Sequence, residues 1–206
     1  MLVTFVGCGN QDNSSQKSEA VSVPKVDLHS AVVQGNLEVI RQHIKAGSDL
    51  NVLEPSRSST PIITAAAMGS VEAAKLLIDA GADLNYQNAD GSTALHTAAL
   101  FGKNEVAKML MDAGINLDIQ NNDGATALHT AAFFGNIELV DALLKKGADK
   151  SLKNKSGKTA YETVAGPFED IKPVYDAIGA GLRPLGVVMD YEQIKAARPK
   201  IAEMLK

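Results

Sequence analysis

Apolar positions along this chain fall into a recurring frame. Leu95, Ala98 and Ala99 share one face at about 100° per residue, the period of a helix, and Leu128, Ala131 and Ala132 repeat that face. Glycines punctuate the frame: Gly69, Gly102 and Gly135 are spaced by 33, and so are Gly91, Gly124 and Gly157. A third series, Gly47, Gly81, Gly114 and Gly147, advances by 34, 33 and 33. Residues 90–122 and 123–155 are identical at 15 of 33 positions, with Thr-Ala-Leu-His-Thr-Ala-Ala at both 93–99 and 126–132. Each period predicts two short helices and a polar turn. Helices of only about nine residues are marginal alone in water, so neighbouring units must bury one another's apolar faces. The result is a one-dimensional stack.

The residues supply the start and stop of each helix. Thr93 can cap a first helix with its hydroxyl, and Pro61 stands at the matching first helical position of an earlier unit, where a missing N–H costs nothing; Ala94 and Ala127 replace it elsewhere. Gly102 and Gly114 close the two helices as left-handed caps. After the repeat, Ile171, Val174, Tyr175, Ile178 and Leu182 keep helical spacing, and Asp190-Tyr191-Glu192-Gln193 reads as a capping box opening another helix. Arg198-Pro199 predicts a break, leaving a short final helix to Leu205. These last helices are expected to cap the stack, since terminal repeats need a polar outer cover.

The quoted units resemble the ankyrin family, whose repeat is a 33-residue turn plus two antiparallel helices. The resemblance rests on Asp90-Gly91-Ser92-Thr93-Ala94-Leu95-His96-Thr97-Ala98-Ala99 with Gly102, Glu105-Val106, Leu110 and Gly114, and on Asp123 to Leu144 ending in Lys146-Gly147-Ala148-Asp149. An earlier unit, Ser59-Thr60-Pro61-Ile62-Ile63-Thr64-Ala65-Ala66, has Ile63 in place of the histidine, which predicts a weaker cap. A first unit begins at Asp27-Leu28-His29-Ser30-Ala31 without a leading turn, and a fifth begins at Gly157-Lys158-Thr159-Ala160-Tyr161 and departs after Ala165. The expected architecture is all-α: an ankyrin solenoid of about four and a half units over 27–165, with short hairpin turns and a helical cap over 166–206.

Composition adds to this at the ends. Hydrophobic residues make up 45% and charged residues 21% of the 206, an ordinary globular balance. The formal charge is −4, but residues 1–149 carry 10 basic and 17 acidic side chains while residues 150–206 carry 10 and 7. No apolar run approaches the roughly 20 residues of a spanning helix. A single cysteine excludes an intramolecular disulfide and a cysteine-based zinc site. That cysteine, Cys8, follows Met-Leu-Val-Thr-Phe-Val-Gly and precedes a polar tether over 9–25, so 1–26 resembles the end of a bacterial lipoprotein signal with its tether. The resemblance implies a lipid on Cys8, and Gly9 after the cysteine implies the periplasmic face of the outer membrane. The signal is incomplete: it has no basic segment, its apolar stretch is short, and Phe5 is bulkier than the usual leucine. The other reading is a soluble cytoplasmic adaptor or secreted effector with an incidental thiol.

No residue set points to catalysis, a cofactor or a metal. His29, His96 and His129 share one repeat position, three residues after the cap, where a ring nitrogen can bond near the helix start; His43 stands alone on a second helix and is expected in solvent. Gly157-Lys158-Thr159 imitates a phosphate loop, but Leu152 stands where that motif needs glycine. Gly179-Ala180-Gly181 follows no strand, so a dinucleotide fingerprint fails too. Lys145, Lys146, Lys150, Lys153, Lys155 and Lys158 form a basic edge without the aromatics that stack bases, so nucleic acid is not expected.

The expected function is therefore a monomeric, non-catalytic scaffold for another protein. Beyond Leu95, Ala98 and Ala99 the first helices turn an inner stripe outward: Val33-Gln34, Ala67-Met68, Leu100-Phe101 and Phe133-Phe134. Thr97 lies opposite the buried side. Turn tips at Tyr86-Gln87-Asn88, Gln120-Asn121-Asn122 and Lys153-Asn154-Lys155 are expected to rim that stripe, and aromatic anchors of this kind concentrate binding energy.

Overall fold

A computed structural model of the chain describes residues 22–206. Among these the fold is all helical, without a strand. Five inner helices, α1 (Leu28–Val33), α3 (Pro61–Met68), α5 (Ala94–Leu100), α7 (Ala127–Phe133) and α9 (Ala160–Val164), stand side by side, each touching the next. Four outer helices, α2 (Leu37–Lys45), α4 (Val71–Asp79), α6 (Asn104–Asp112) and α8 (Ile137–Lys145), form a second row, each paired with the inner helix before it.

The two rows are packed with side chains of different size. Ala31, Ala65, Ala98 and Ala131 are fully buried in the inner row, while Ile40, Leu77, Leu110 and Leu143 fill the outer one. Each buried leucine or isoleucine contributes roughly 1.5–3 kcal/mol, and the alanines let the inner helices approach. Gly102 (φ +64°) and Gly114 (φ +83°) take the left-handed conformation expected of them. The turns close when Lys103 N–H donates to Ala98 O at 2.8 Å and Ile115 N–H to Leu110 O at 3.2 Å.

Helix starts follow the threonine–histidine pairing. His129 N–H donates to the Thr126 hydroxyl at 3.4 Å, and Thr126 N–H donates to His129 Nδ1 at 3.3 Å. In the fifth unit Glu162 replaces the histidine, its carboxylate accepting from Thr159 N–H at 2.7 Å. Where Ile63 stands instead, Thr60 caps nothing with its side chain, and its buried hydroxyl has no partner among the described residues. The first unit departs from the frame. Asp27 caps α1 by accepting from Ser30 N–H at 2.9 Å, so the helix starts one residue later and His29 is only two residues past the cap. Its ring reaches forward, donating from Nε2 to Val52 O at 2.8 Å.

Two expectations are corrected. His43 is not in solvent: it is 5% exposed, donating from Nε2 to Val26 O at 2.8 Å with Nδ1 3.0 Å from the Ser48 hydroxyl. It ties the segment entering the stack to the first unit. Nor does Pro199 break the last helix. α11 (Tyr191–Leu205) runs through it, because Ala197, Arg198 and Ile201 on either side are buried and hold both halves in line.

The last unit has an unusual second helix. α11 packs on α9, α8 and α7, and so takes the place where an outer helix would follow α9. Gly135 (φ +72°) permits this contact, since a Cβ there would lie 3.1 Å from Ile194 Cα. Between α9 and α11 the chain makes a detour through α10 (Phe168–Leu182), a 3-10 turn (Arg183–Leu185) and a loop to Asp190, whose carboxylate caps α11 by accepting from Gln193 N–H at 2.9 Å.

The caps differ in a way that can be measured. Thr60→Val removes a buried hydroxyl that bonds to nothing and should raise stability by up to about 1 kcal/mol, whereas Thr126→Val breaks a satisfied cap and should cost about 1 kcal/mol. Urea unfolding of the two variants against the parent reads the difference; equal destabilisation would contradict the assignment of the caps.

Candidate partner-binding groove

The inner row presents its exposed side to a groove of about 850 Å³. Val33, Ala67, Met68, Leu100, Phe101, Phe133 and Phe134 all line it, so the stripe expected from the sequence is brought together on one surface apart from Gln34, which is not among the lining residues. Val33 is 55% and Met68 50% exposed, while Leu100, Phe101 and Phe134 are half-buried. Thr97 also lines the groove but is nearly buried, its hydroxyl donating to Thr93 O at 3.1 Å.

The groove has a second wall that the sequence did not place. α10 lies against the inner face, with Tyr175 on Phe133, and its Ile178 and Leu182 line the same groove as the stripe. Tyr175, fully buried, stacks on Phe133 at 4.3 Å between ring centres and donates its hydroxyl to Phe133 O at 2.8 Å. Phe133 is therefore bound to this wall, whereas Phe134, edge-on to it at 5.3 Å, stays on the groove. Arg198 locks the wall to the stack. Only 4% exposed, it donates to Tyr175 Oη at 3.1 Å, Thr163 O at 3.3 Å and Gly166 O at 2.9 Å. Burial raises the Tyr175 phenol above its usual range, and the neighbouring guanidinium only partly opposes this.

The turn tips serve the stack first. Gln87 Nε2 donates to Gly91 O at 2.7 Å and to Gln120 O of the next turn at 3.0 Å; Gln120 repeats this with Gly124 O at 2.6 Å and Lys153 O at 2.9 Å. Asn88 and Asn121 line the groove, yet their amide oxygens are engaged by backbone N–H groups, of Asp90 and Ser92 and of Asp123 and Ala125 respectively. Tyr86, Gln87, Gln120, Lys153 and Lys155 lie outside the groove lining, and Cys8 lies outside the described residues. A second ladder escaped the sequence reading. Asn51, Asn85 and Asp118 each accept a backbone N–H from the following unit, those of Asp83, Asn116 and Asp149, at 2.8–2.9 Å. Their spacing of 34 and 33 was the available signal.

Three overlapping copies of the ankyrin-repeat family pattern match residues 28–121, 80–154 and 114–165. The chain belongs to the ankyrin-repeat family. Curated relatives include a mouse ARF GTPase-activating protein GIT2, 38% identical over 66 residues, which are 32% of this chain and 9% of that protein. The human DNA-binding protein RFXANK is 29% identical over 75 residues, 34% of this chain and 29% of its own length. Human protein phosphatase 1 regulatory subunit 27 is 38% identical over 64 residues, 31% of this chain and 41% of that one. The chain thus spans less than half the length of each.

In the central ankyrin units the hydrogen bonds select one tautomer of each neutral histidine. His96 Nε2–H donates to Ala125 O at 2.9 Å and His129 Nε2–H to Lys158 O at 3.1 Å, which leaves Nδ1 of each to accept from its threonine. Burial lowers both imidazoles below the usual 6.5, more than the carbonyl contacts raise them. Glu54, by contrast, is pulled down to about 2 by the Ser56 hydroxyl and the N–H groups of Ser56, Arg57 and Ser59. Among the described residues no group of three or more His, Cys, Asp or Glu is placed to hold a metal ion, and no helix is long and apolar enough to cross a membrane.

The histidines give stability a pH dependence of definite sign. Folded imidazoles with lowered pKa bind protons less readily than unfolded ones, so stability is full above 6.5 and declines as pH falls below it. The melting temperature should drop between about pH 7.5 and about pH 5.5, a window above the one in which Glu54 titrates on unfolding. His96→Gln with His129→Gln should flatten that drop in circular-dichroism melts; an unchanged slope would assign it to other groups.

Proposed function

We propose that the protein is a non-catalytic ankyrin scaffold that holds a segment of a partner protein in the concave groove, and that a lipid on Cys8 tethers it to the periplasmic face of a bacterial outer membrane. The observation that carries the first part is the apolar stripe, most of which no described residue covers. Val33 and Met68 stay half exposed beside Phe101 and Phe134, and contiguous apolar surface on a folded chain marks an interaction site. The turn tips use their hydrogen-bonding groups within the stack, so contact energy is left to the apolar positions. Three curated relatives with names as different as a GTPase-activating protein, a DNA-binding protein and a phosphatase regulatory subunit share a stretch with this chain. That fits a stretch that serves recognition rather than one chemistry.

The tether is supported by the sole cysteine standing directly after Gly7 and residues 1–6, apolar except for Thr4, with a polar segment behind it. Two acyl chains on one residue hold a bilayer stably, and the weakly apolar residues 9–25 cannot replace them.

Phe101→Ala with Phe134→Ala should weaken capture of the partner by at least about 2 kcal/mol while the variant stays folded; a folded double variant with undiminished capture would move the interface off the groove. In the gene with its natural start, Cys8→Ser should shift the protein from the membrane fraction to the soluble periplasm. A parent protein left unmarked by a clickable fatty acid would exclude the lipid.

A further inference from the structure

The inner face already accepts one helix. α10 lies on it through Tyr175 over Phe133, and its Ile178 and Leu182 continue past that contact into the groove. The units before it repeat the apolar positions as Leu100-Phe101, Met68 and Val33, and there nothing covers them among the described residues. Ile178 on α10 is itself 36% exposed. Apolar side chains of the stripe and of α10 thus line one open groove, and α10 is itself a helix docked in the manner the rest of the stripe could receive.

Charge narrows the choice of occupant. Glu54, Asp90 and Asp123 line the groove, and among the described residues Arg57 is the one lysine or arginine that does so. Arg57 is already engaged, 3.2 Å from Asp90. Glu54 remains ionised at any physiological pH, held down by the Ser56 hydroxyl. The Asp123 carboxylate has neither a hydrogen bond nor an ion pair among the described residues. His96 and His129 are neutral, so they do not offset these charges. The turn side of the groove is a negative strip along an apolar floor.

We propose that the groove takes a cationic amphipathic helix of the partner, laid beside α10, with its apolar face on Val33, Met68, Phe101 and Ile178 and its lysine or arginine side chains toward Glu54 and Asp123. This rests on the reading of the groove as the binding surface and adds the chemistry of what it binds. Helix rows pack about 10 Å apart, so the stripe from Val33 to Phe134 spans about 30 Å, and a helix rising 1.5 Å per residue covers it in about 20 residues. Insertion of an apolar helix face into a groove is a recurrent mode of recognition.

The test titrates the full chain with a dye-labelled amphipathic leucine–lysine helix of about 20 residues, and with a leucine–glutamate helix of the same pattern, by fluorescence anisotropy. The cationic peptide should bind and the anionic one should not. Val33→Gln with Met68→Gln, both exposed positions that leave the fold intact, should weaken binding about tenfold or more. Asp123→Lys should weaken it roughly threefold or more and flatten its salt dependence. Anionic binding as tight as cationic, still lost in the Val33/Met68 variant, overturns the charge assignment and leaves the groove as the site. Cationic binding unmoved by either variant overturns both readings. Failure of both peptides to bind overturns the helical occupant, while partner capture by the Phe101/Phe134 variant judges the groove separately.

Discussion

The close approach of the inner helices is the constraint from which the rest of the molecule follows. Ala31, Ala65, Ala98 and Ala131 are buried in the inner row and leave its helices room to approach, while Ile40, Leu77, Leu110 and Leu143 fill the outer row. Small residues on one side and large ones on the other favour a bend toward the small side, the side on which the groove lies. The same spacing brings each turn within reach of the next. Gln87 and Gln120 bridge successive turns, and His96 and His129 donate across units to backbone carbonyls. Polar contacts hold the register that the alanines make possible, and neither would serve without the other.

How much of this can be read from the chain depends on whether a contact repeats. The helix starts at Thr93 and Thr126, the histidines that brace them and the glycines that end each helix recur every 33 residues, so each unit supports the reading of the next. The weaker cap at Thr60 was legible for the same reason, from a single departure, Ile63. Contacts made once have no such support. His43 is buried by the carbonyl of Val26, which lies before the first unit, and no spacing announces that partner. α10 had a clear helical pattern, yet its place depends on contacts made once: Tyr175 on Phe133, 42 residues apart, and Arg198 bonding to Tyr175. The apolar stripe of the groove was visible from periodicity; its second wall was not.

The division of labour between turns and helices also shapes the candidate site. Asparagines and glutamines at turn tips look available in sequence, but backbone groups occupy most of their capacity here. Surface ion pairs such as Lys146–Asp112 at 2.7 Å join neighbouring outer helices and are worth little individually. Among the described residues the apolar area of the stripe and the Asp123 carboxylate are left without a partner in the stack, so the site is defined by what the stack does not use.

The insertion of α10 between α9 and α11 has a consequence for the order of assembly. In the earlier units the second helix follows the first after a turn of a few residues, so each pair can form locally and quickly. The last pair closes only when α11 returns across the whole detour to pack on α9, α8 and α7. Closing that longer loop costs more chain entropy, and the buried Arg198 reaches its acceptors on α9 and α10 only then. The lock on the groove's second wall, Arg198 with Tyr175, Thr163 and Gly166, therefore forms only after α11 has returned to the stack. During synthesis the stripe residues from Val33 to Phe134 emerge before Arg198, so the surface that could receive a partner is made before the wall beside it can be locked.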